Sequence, residues 1–139
     1  MTNVELVSRK LAALIEFSKR ARRRGAVSAE VVASDPERQD ALGMALLVAI
    51  QEAIDLAFHI VADERWGSPG SYAEGFAILE QHGVITAELA QAMTSATGLR
   101  NRLAHGYASI DVPRLLAGLP QGLDALDAFA RAVGAFVGS

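Results

Sequence analysis

Cysteine does not occur in this chain of 139 residues. Disulfides and thiolate-held metal centres are therefore excluded, and a reducing compartment suits the protein. Long apolar runs are missing too. The N-terminal stretch MTNVELVSRKLAALIEF breaks its apolar residues with Glu5, Arg9 and Lys10, so it lacks the core of a secretory signal. The longest strongly apolar run, ALGMALLVAI at 41–50, stops at Gln51 and Glu52. That is short of the about 20 residues a membrane-spanning helix needs. Excess positive charge is also absent. Thirteen Lys and Arg stand against sixteen Asp and Glu, for a net charge of −3 and a pI near 5.6. This balance does not suit a protein that coats nucleic acid nonspecifically. Any nucleic-acid chemistry must rest on a local basic site, and the dense basic patches are RARRRG at 20–25 and GLRNR at 98–102. The expected setting is cytoplasmic, without a membrane.

What is abundant is apolar content, at 51% of residues and a mean hydropathy of +0.24. That is rich for one small domain, whose surface is large relative to its volume. The excess implies apolar helix faces covered by a second copy, so a homodimer is expected. No internal repeat, low-complexity tract or separating linker is present, and residues 1–139 read as a single domain.

Helical spacing dominates and strand alternation is scarce. A first helix is predicted from about Asn3 to Arg24, with Val4, Val7, Leu11, Leu14 and Ile15 marking its buried face. Gly25 ends it, after arginines suited to the negative end of a helix dipole. Segment 25–34 reads as either a loop or a short helical turn. Ser34 is the predicted cap of a second helix, with Asp35 and Pro36 in its first turn and Glu37 completing a capping box. This helix runs about thirty residues, roughly 45 Å. WGSPGS at 66–71 is a loop. Ser71 and Glu74 form the next capping box, opening a short helix closed by Gly83. Thr86 caps a helix that Gly106 terminates. Asp111 and Pro113 start the last one, with a kink expected at Pro120. The sum is an all-α bundle of four to five helices. Many functions share that class, so function must be sought in a site.

The segment GLRNRLAHGY at 98–107 concentrates chemistry. Arg100 and His105 are five apart, about 140° around one helix. Asn101 and His105 share one face, and Arg100 and Tyr107 another. One chain thus offers two adjacent polar faces, which a second copy across a two-fold axis could complete into one pocket. Histidine moves protons near neutral pH, and arginine grips phosphate oxygens through paired N–H groups. Those are the needs of RNA cleavage by the internal 2′-hydroxyl: a base for its proton and a cation for the crowded phosphate, without a metal. Spacing alone favours a plainer alternative, in which Arg100 and Arg102 are surface charges and His105 caps a helix end.

The run Arg100-Asn101-Arg102-Leu103-Ala104-His105-Gly106-Tyr107 resembles the Arg-x-x-x-x-His-x-Tyr signature of HepT-type toxins in the HEPN superfamily. Asparagine directly after the arginine is typical of that signature. Residues 49–85 are similar to the family's long helix, its Pro-Ser-Tyr-like loop and the short helix after it, and the resemblance extends from about Asp40 to Leu116. Gly106 departs from it, since an acidic residue is common there; its absence removes a charge and would loosen the backbone beside His105. The resemblance implies a HEPN-like fold and a dimeric, metal-independent endoribonuclease with its cleft between protomers and no cofactor. Arg100 and His105 would be the catalytic pair, with Asn101 and Arg102 in support. It implies an RNA substrate and a nucleotidyltransferase (MntA-like) antitoxin as partner. That antitoxin would move AMP from ATP onto Tyr107, placing bulk and phosphate charge beside the catalytic residues. The competing reading is a noncatalytic helical dimer that binds a nucleotidyltransferase or a nucleotide.

Other polar positions read more plainly. Glu52, Asp55 and His59 share a helix face, but the Glu-x-x-His element of a bundle di-metal site does not occur; a hydrogen-bonded or partly buried polar stripe is expected. His82 is read as a partner of its helix's C-terminal end, and Arg22, Arg23 and Arg24 as a solvated helix end, with an RNA track as the alternative. Trp66 and Tyr72 flank the loop and are expected to anchor it on the core, base stacking being the alternative.

Overall fold

A computed structural model describes residues 2–106 and 110–138. Among these it contains six helices: α1 (Val4–Arg24), α2 (Ala29–Ala33), α3 (Pro36–Asp63), α4 (Tyr72–Gln81), α5 (Ala87–Ala104) and α6 (Val112–Gly138). The bundle is all-α as expected, with one helix more than the sequence suggested. The extra element is α2, in the segment that read as loop or turn. Its cap is Ser28, whose hydroxyl accepts from the Val31 N–H.

Side-chain caps set the helix starts, because the first N–H groups of a helix have no partner inside it. Asn3, Ser71 and Thr86 accept from the backbone N–H three residues on, opening α1, α4 and α5. Asp111 does the same for α6 through Arg114. Two details differ from the sequence reading. Asp35, not Ser34, caps α3, accepting from Arg38 with Pro36 in the first turn. Ser34 is occupied in closing α2, its N–H bonded to the Glu30 carbonyl. At α4, the Glu74 carboxylate reaches past Ser71 to the Gly70 N–H. The last helix continues through Pro120.

Helix α3 is the centre of the bundle and touches each of the other five. Leu42, Leu46, Ile50, Ile54, Ile60 and Val61 are buried along it, as are the small residues Ala45, Ala49, Ala53 and Ala57 at four-residue spacing. Small side chains in one row let a neighbouring helix approach closely. By length and composition α3 could cross a membrane, with a mean hydropathy of 1.8 over its most apolar window. More than half of that window is buried against the other helices, so packing makes it a core helix. Phe76 of α4 and Phe129 of α6, both fully buried, meet edge to face with centroids 5.6 Å apart. On α1, Val7 and Leu14 are buried together with Ser18 and Ala21. Val4 and Ile15, expected on that face, are instead 57% and 42% exposed. The buried stripe advances by seven, four and three residues from Val7, which leaves both beside it rather than within it.

Candidate functional site

Residues 98–104 of the signature segment form the last turns of α5. Leu103, 7% exposed, fixes this end of the helix to the core. His105 is the C-terminal cap, and its N–H bonds the Asn101 carbonyl at 3.2 Å. Gly106 then turns the chain with φ of 107°, a left-handed conformation that L side chains adopt only under strain. The departure from the family's acidic residue thus has a backbone reason: the helix closes here on a sharp turn that suits glycine. Tyr107 lies outside the described residues.

Arg100 is half-buried and points back to α3. Its Nε donates to Gln51 Oε1 at 2.9 Å, and its Nη1 donates to Asn101 Oδ1 at 3.1 Å. Its guanidinium carbon lies 5.7 Å from the centroid of the Tyr72 ring, within cation–π range. The charge is therefore held by two neutral amide oxygens and an aromatic face, with no carboxylate bonded to it among the described residues. Of the five N–H groups of a guanidinium, two are used among the described residues. Asn101 is exposed and shares a shallow depression of about 430 Å³ with Tyr72, Phe58 and residues 69–71. Arg102 faces elsewhere, onto a groove of about 950 Å³ between α5 and α6 that Leu46, Ile50, Leu99 and Leu115 also line. His105 is exposed, and no hydrogen bond joins it to Arg100 among the described residues. The single chain presents an anchored cation and a solvent-facing imidazole at one helix end, not a closed pair.

Of the neighbours of Arg100, Gln51 was not singled out in the sequence, and Tyr72 was read only as an anchor of the loop. Gln51 precedes the polar stripe by one position and looked like the end of an apolar run. Its signal was the i, i+4 pairing with Asp55, whose Oδ1 accepts from Gln51 Nε2 at 2.9 Å. Tyr72 is half-buried, packs edge-on against Phe58 at 6.0 Å, and sits beside the guanidinium. Two of the three residues of the stripe are hydrogen-bonded: Lys10 of α1 donates to Glu52 at 3.4 Å and to Asp55 at 3.3 Å. The basic end of α1 is a solvated surface, where Arg22 pairs with Asp124 and Asp127 of α6. Trp66 anchors the loop by stacking on His82, which also caps α4, and by approaching Phe136 at 5.7 Å.

The chain matches the family described as Ribonuclease HepT-like over residues 7–133. It is 28% identical over 136 residues to the tRNA nuclease HepT of Aphanizomenon flos-aquae, covering 98% of this chain and 88% of that one. To the mRNA nuclease HepT of Shewanella oneidensis it is 31% identical over 74 residues, which is 53% of this chain and 56% of that one. Its fold matches that of the tri-AMPylated Shewanella oneidensis HEPN toxin, solved in complex with the MNT antitoxin. The TM-score is 0.87 at 23% identity, over 96% of this chain and 99% of that one. A toxin–antitoxin structure with AMP-PNP superimposes with the same TM-score over 94% and 98% of the two chains. Matched by the family over residues 7–133, nearly the whole of its length, this chain belongs to the HepT-like ribonuclease family.

Proposed function

We propose that this protein is the toxin of a toxin–antitoxin pair: a metal-independent endoribonuclease that works as a homodimer and is silenced by adenylylation of Tyr107. The observation that carries the catalytic part is the setting of Arg100. A permanent cation is fixed in orientation by two neutral amides, with no carboxylate on it among the described residues, on the same helix end that the exposed His105 caps. In cleavage, His105 takes the proton of a ribose 2′-hydroxyl, and the 2′-oxygen attacks the adjacent phosphorus. Arg100 holds the non-bridging oxygens as their charge builds up. The 5′-oxygen leaves with a proton from the His105 of the second copy, and a 2′,3′-cyclic phosphate remains. One chain holds one such imidazole, so a base and an acid require two chains across a two-fold axis. Apolar side chains left at the surface support that assembly: Val4, Ile15, Val27, Val31 and Met44 are all more than a third exposed.

Control follows from the same charge. The partner, a nucleotidyltransferase antitoxin, directs the Tyr107 phenol oxygen onto the α-phosphorus of ATP, and pyrophosphate leaves. The new phosphodiester is negative and lies two residues from His105, where it competes with RNA for Arg100. The tri-AMPylated state of the Shewanella relative, bound to its antitoxin, supports this reading. The test is cleavage of tRNA and mRNA by the purified chain, before and after incubation with the nucleotidyltransferase and ATP, with intact mass followed in parallel. Cleavage that stops as AMP is added is expected. An untreated, AMP-free chain that cleaves neither RNA would leave the noncatalytic binding module.

A further inference from the structure

The anchor of Arg100 is the end of a longer chain of contacts. Lys10 Nζ of α1 donates to Asp55 Oδ2, Asp55 Oδ1 accepts from Gln51 Nε2, and Gln51 Oε1 accepts from Arg100 Nε. The chain runs α1 to α3 to α5. Every bond in it has a forced direction, because lysine and arginine only donate and a carboxylate only accepts. The amide could bond in either orientation, but between Asp55 and Arg100 only one is satisfied. Asp55 therefore fixes the Gln51 amide, and the amide fixes the guanidinium. A carboxylate in the place of Gln51 would hold Arg100 as firmly but would offset the charge that a phosphate needs. Asp55 is kept one side chain away from the guanidinium, and Lys10 pairs with it.

We infer that Gln51 is a positioning residue for RNA cleavage: a neutral tether, oriented by Asp55 and Lys10, that aims Arg100 at the phosphate without neutralising it. This rests on the nuclease reading above. The tether acts on Arg100 and not on the RNA, so its loss is felt where phosphate charge is greatest, in the transition state.

The test uses the full-length protein, a tRNA pool as substrate, and the side-chain Nε–H resonance of Arg100 in 15N NMR, assigned through Arg100→Lys. Gln51→Leu is expected to lower the maximal cleavage rate roughly 10- to 100-fold. The half-saturating RNA concentration should stay within about twofold, and the Arg100 Nε–H should lose its exchange protection. Gln51→Glu should keep that protection and still cleave more slowly, because the charge is offset. Asp55→Asn frees the amide to flip and should fall between wild type and Gln51→Leu; it and Gln51→Glu decide the matter if Gln51→Leu does not fold. The inference is overturned if Gln51→Leu cleaves at the wild-type rate, if its defect lies wholly in half-saturation, or if Gln51→Glu is as active as wild type. A protected Nε–H in a wild type that cleaves no RNA would overturn the nuclease reading and leave the tether a structural contact.

Discussion

Trp66 and His82 lie face to face, their ring centroids 4.0 Å apart and their planes parallel. The stack ties the chain just after α3 to the C-terminal end of α4, and the indole also meets Phe136 of α6. Removing the half-buried ring takes away the contacts that join three elements. Trp66→Ala should destabilise the fold by about 3 kcal/mol, read as a lower denaturation midpoint in urea with an unchanged slope. Protein that remains folded should cleave normally, since the ring contacts of Trp66 are with His82 and Phe136 and not with Arg100.

The proposed catalytic pair is tested by removal. Arg100→Ala and His105→Ala should each lower cleavage by roughly 100-fold or more with helical circular dichroism intact. Excess EDTA should leave wild-type cleavage unchanged, and the products should end in a 2′,3′-cyclic phosphate. Chelator-sensitive cleavage leaving a 3′-hydroxyl would indicate metal-activated water instead.

Tyr107→Phe separates catalysis from control. It should cleave RNA as the wild type does but escape ATP-dependent silencing by the nucleotidyltransferase. Mass spectrometry should find AMP on wild-type Tyr107 and none on the variant. If the partner silences Tyr107→Phe just as fully, inhibition is by masking, and the adenylylation proposal fails.

Assembly has its own measurement. Sedimentation equilibrium at micromolar concentration should give twice the 14.7 kDa chain mass. A monomer that still cleaves RNA would remove the need for a second copy.

Gly75 of α4 links packing to the site. A Cβ there would lie 2.6 Å from Cε1 of Phe58, so the ring would have to move. Phe58 is in turn packed edge-on against Tyr72, the aromatic neighbour of Arg100. Gly75→Ala should cost about 1–3 kcal/mol of stability and also slow cleavage. Arg22→Ala offers the contrast: its ion pairs are at an exposed surface, and the loss should be below about 1 kcal/mol with cleavage unaffected.

Much of the molecule is determined by local chemistry and is therefore legible in the sequence. Asn3, Ser71, Thr86 and Asp111 cap helices because a short polar side chain can reach the N–H three residues on, whatever else surrounds it. The placement of Arg100, Asn101 and His105 at the end of α5 follows from helical spacing and the glycine after them. What depends on neighbours distant in sequence was decided only by tertiary structure. Val4 and Ile15 have helical spacing suited to burial, yet no helix covers them. Helix α3 has membrane-like length and composition, and only its five neighbours make it a core. Gln51 looked like the end of an apolar run until α5 brought Arg100 against it, 49 positions away. The i, i+4 spacing to Asp55 marks Gln51 as a hydrogen-bonding side chain, but nothing local names Arg100 as its second partner, because neither residue's own neighbours require that bond.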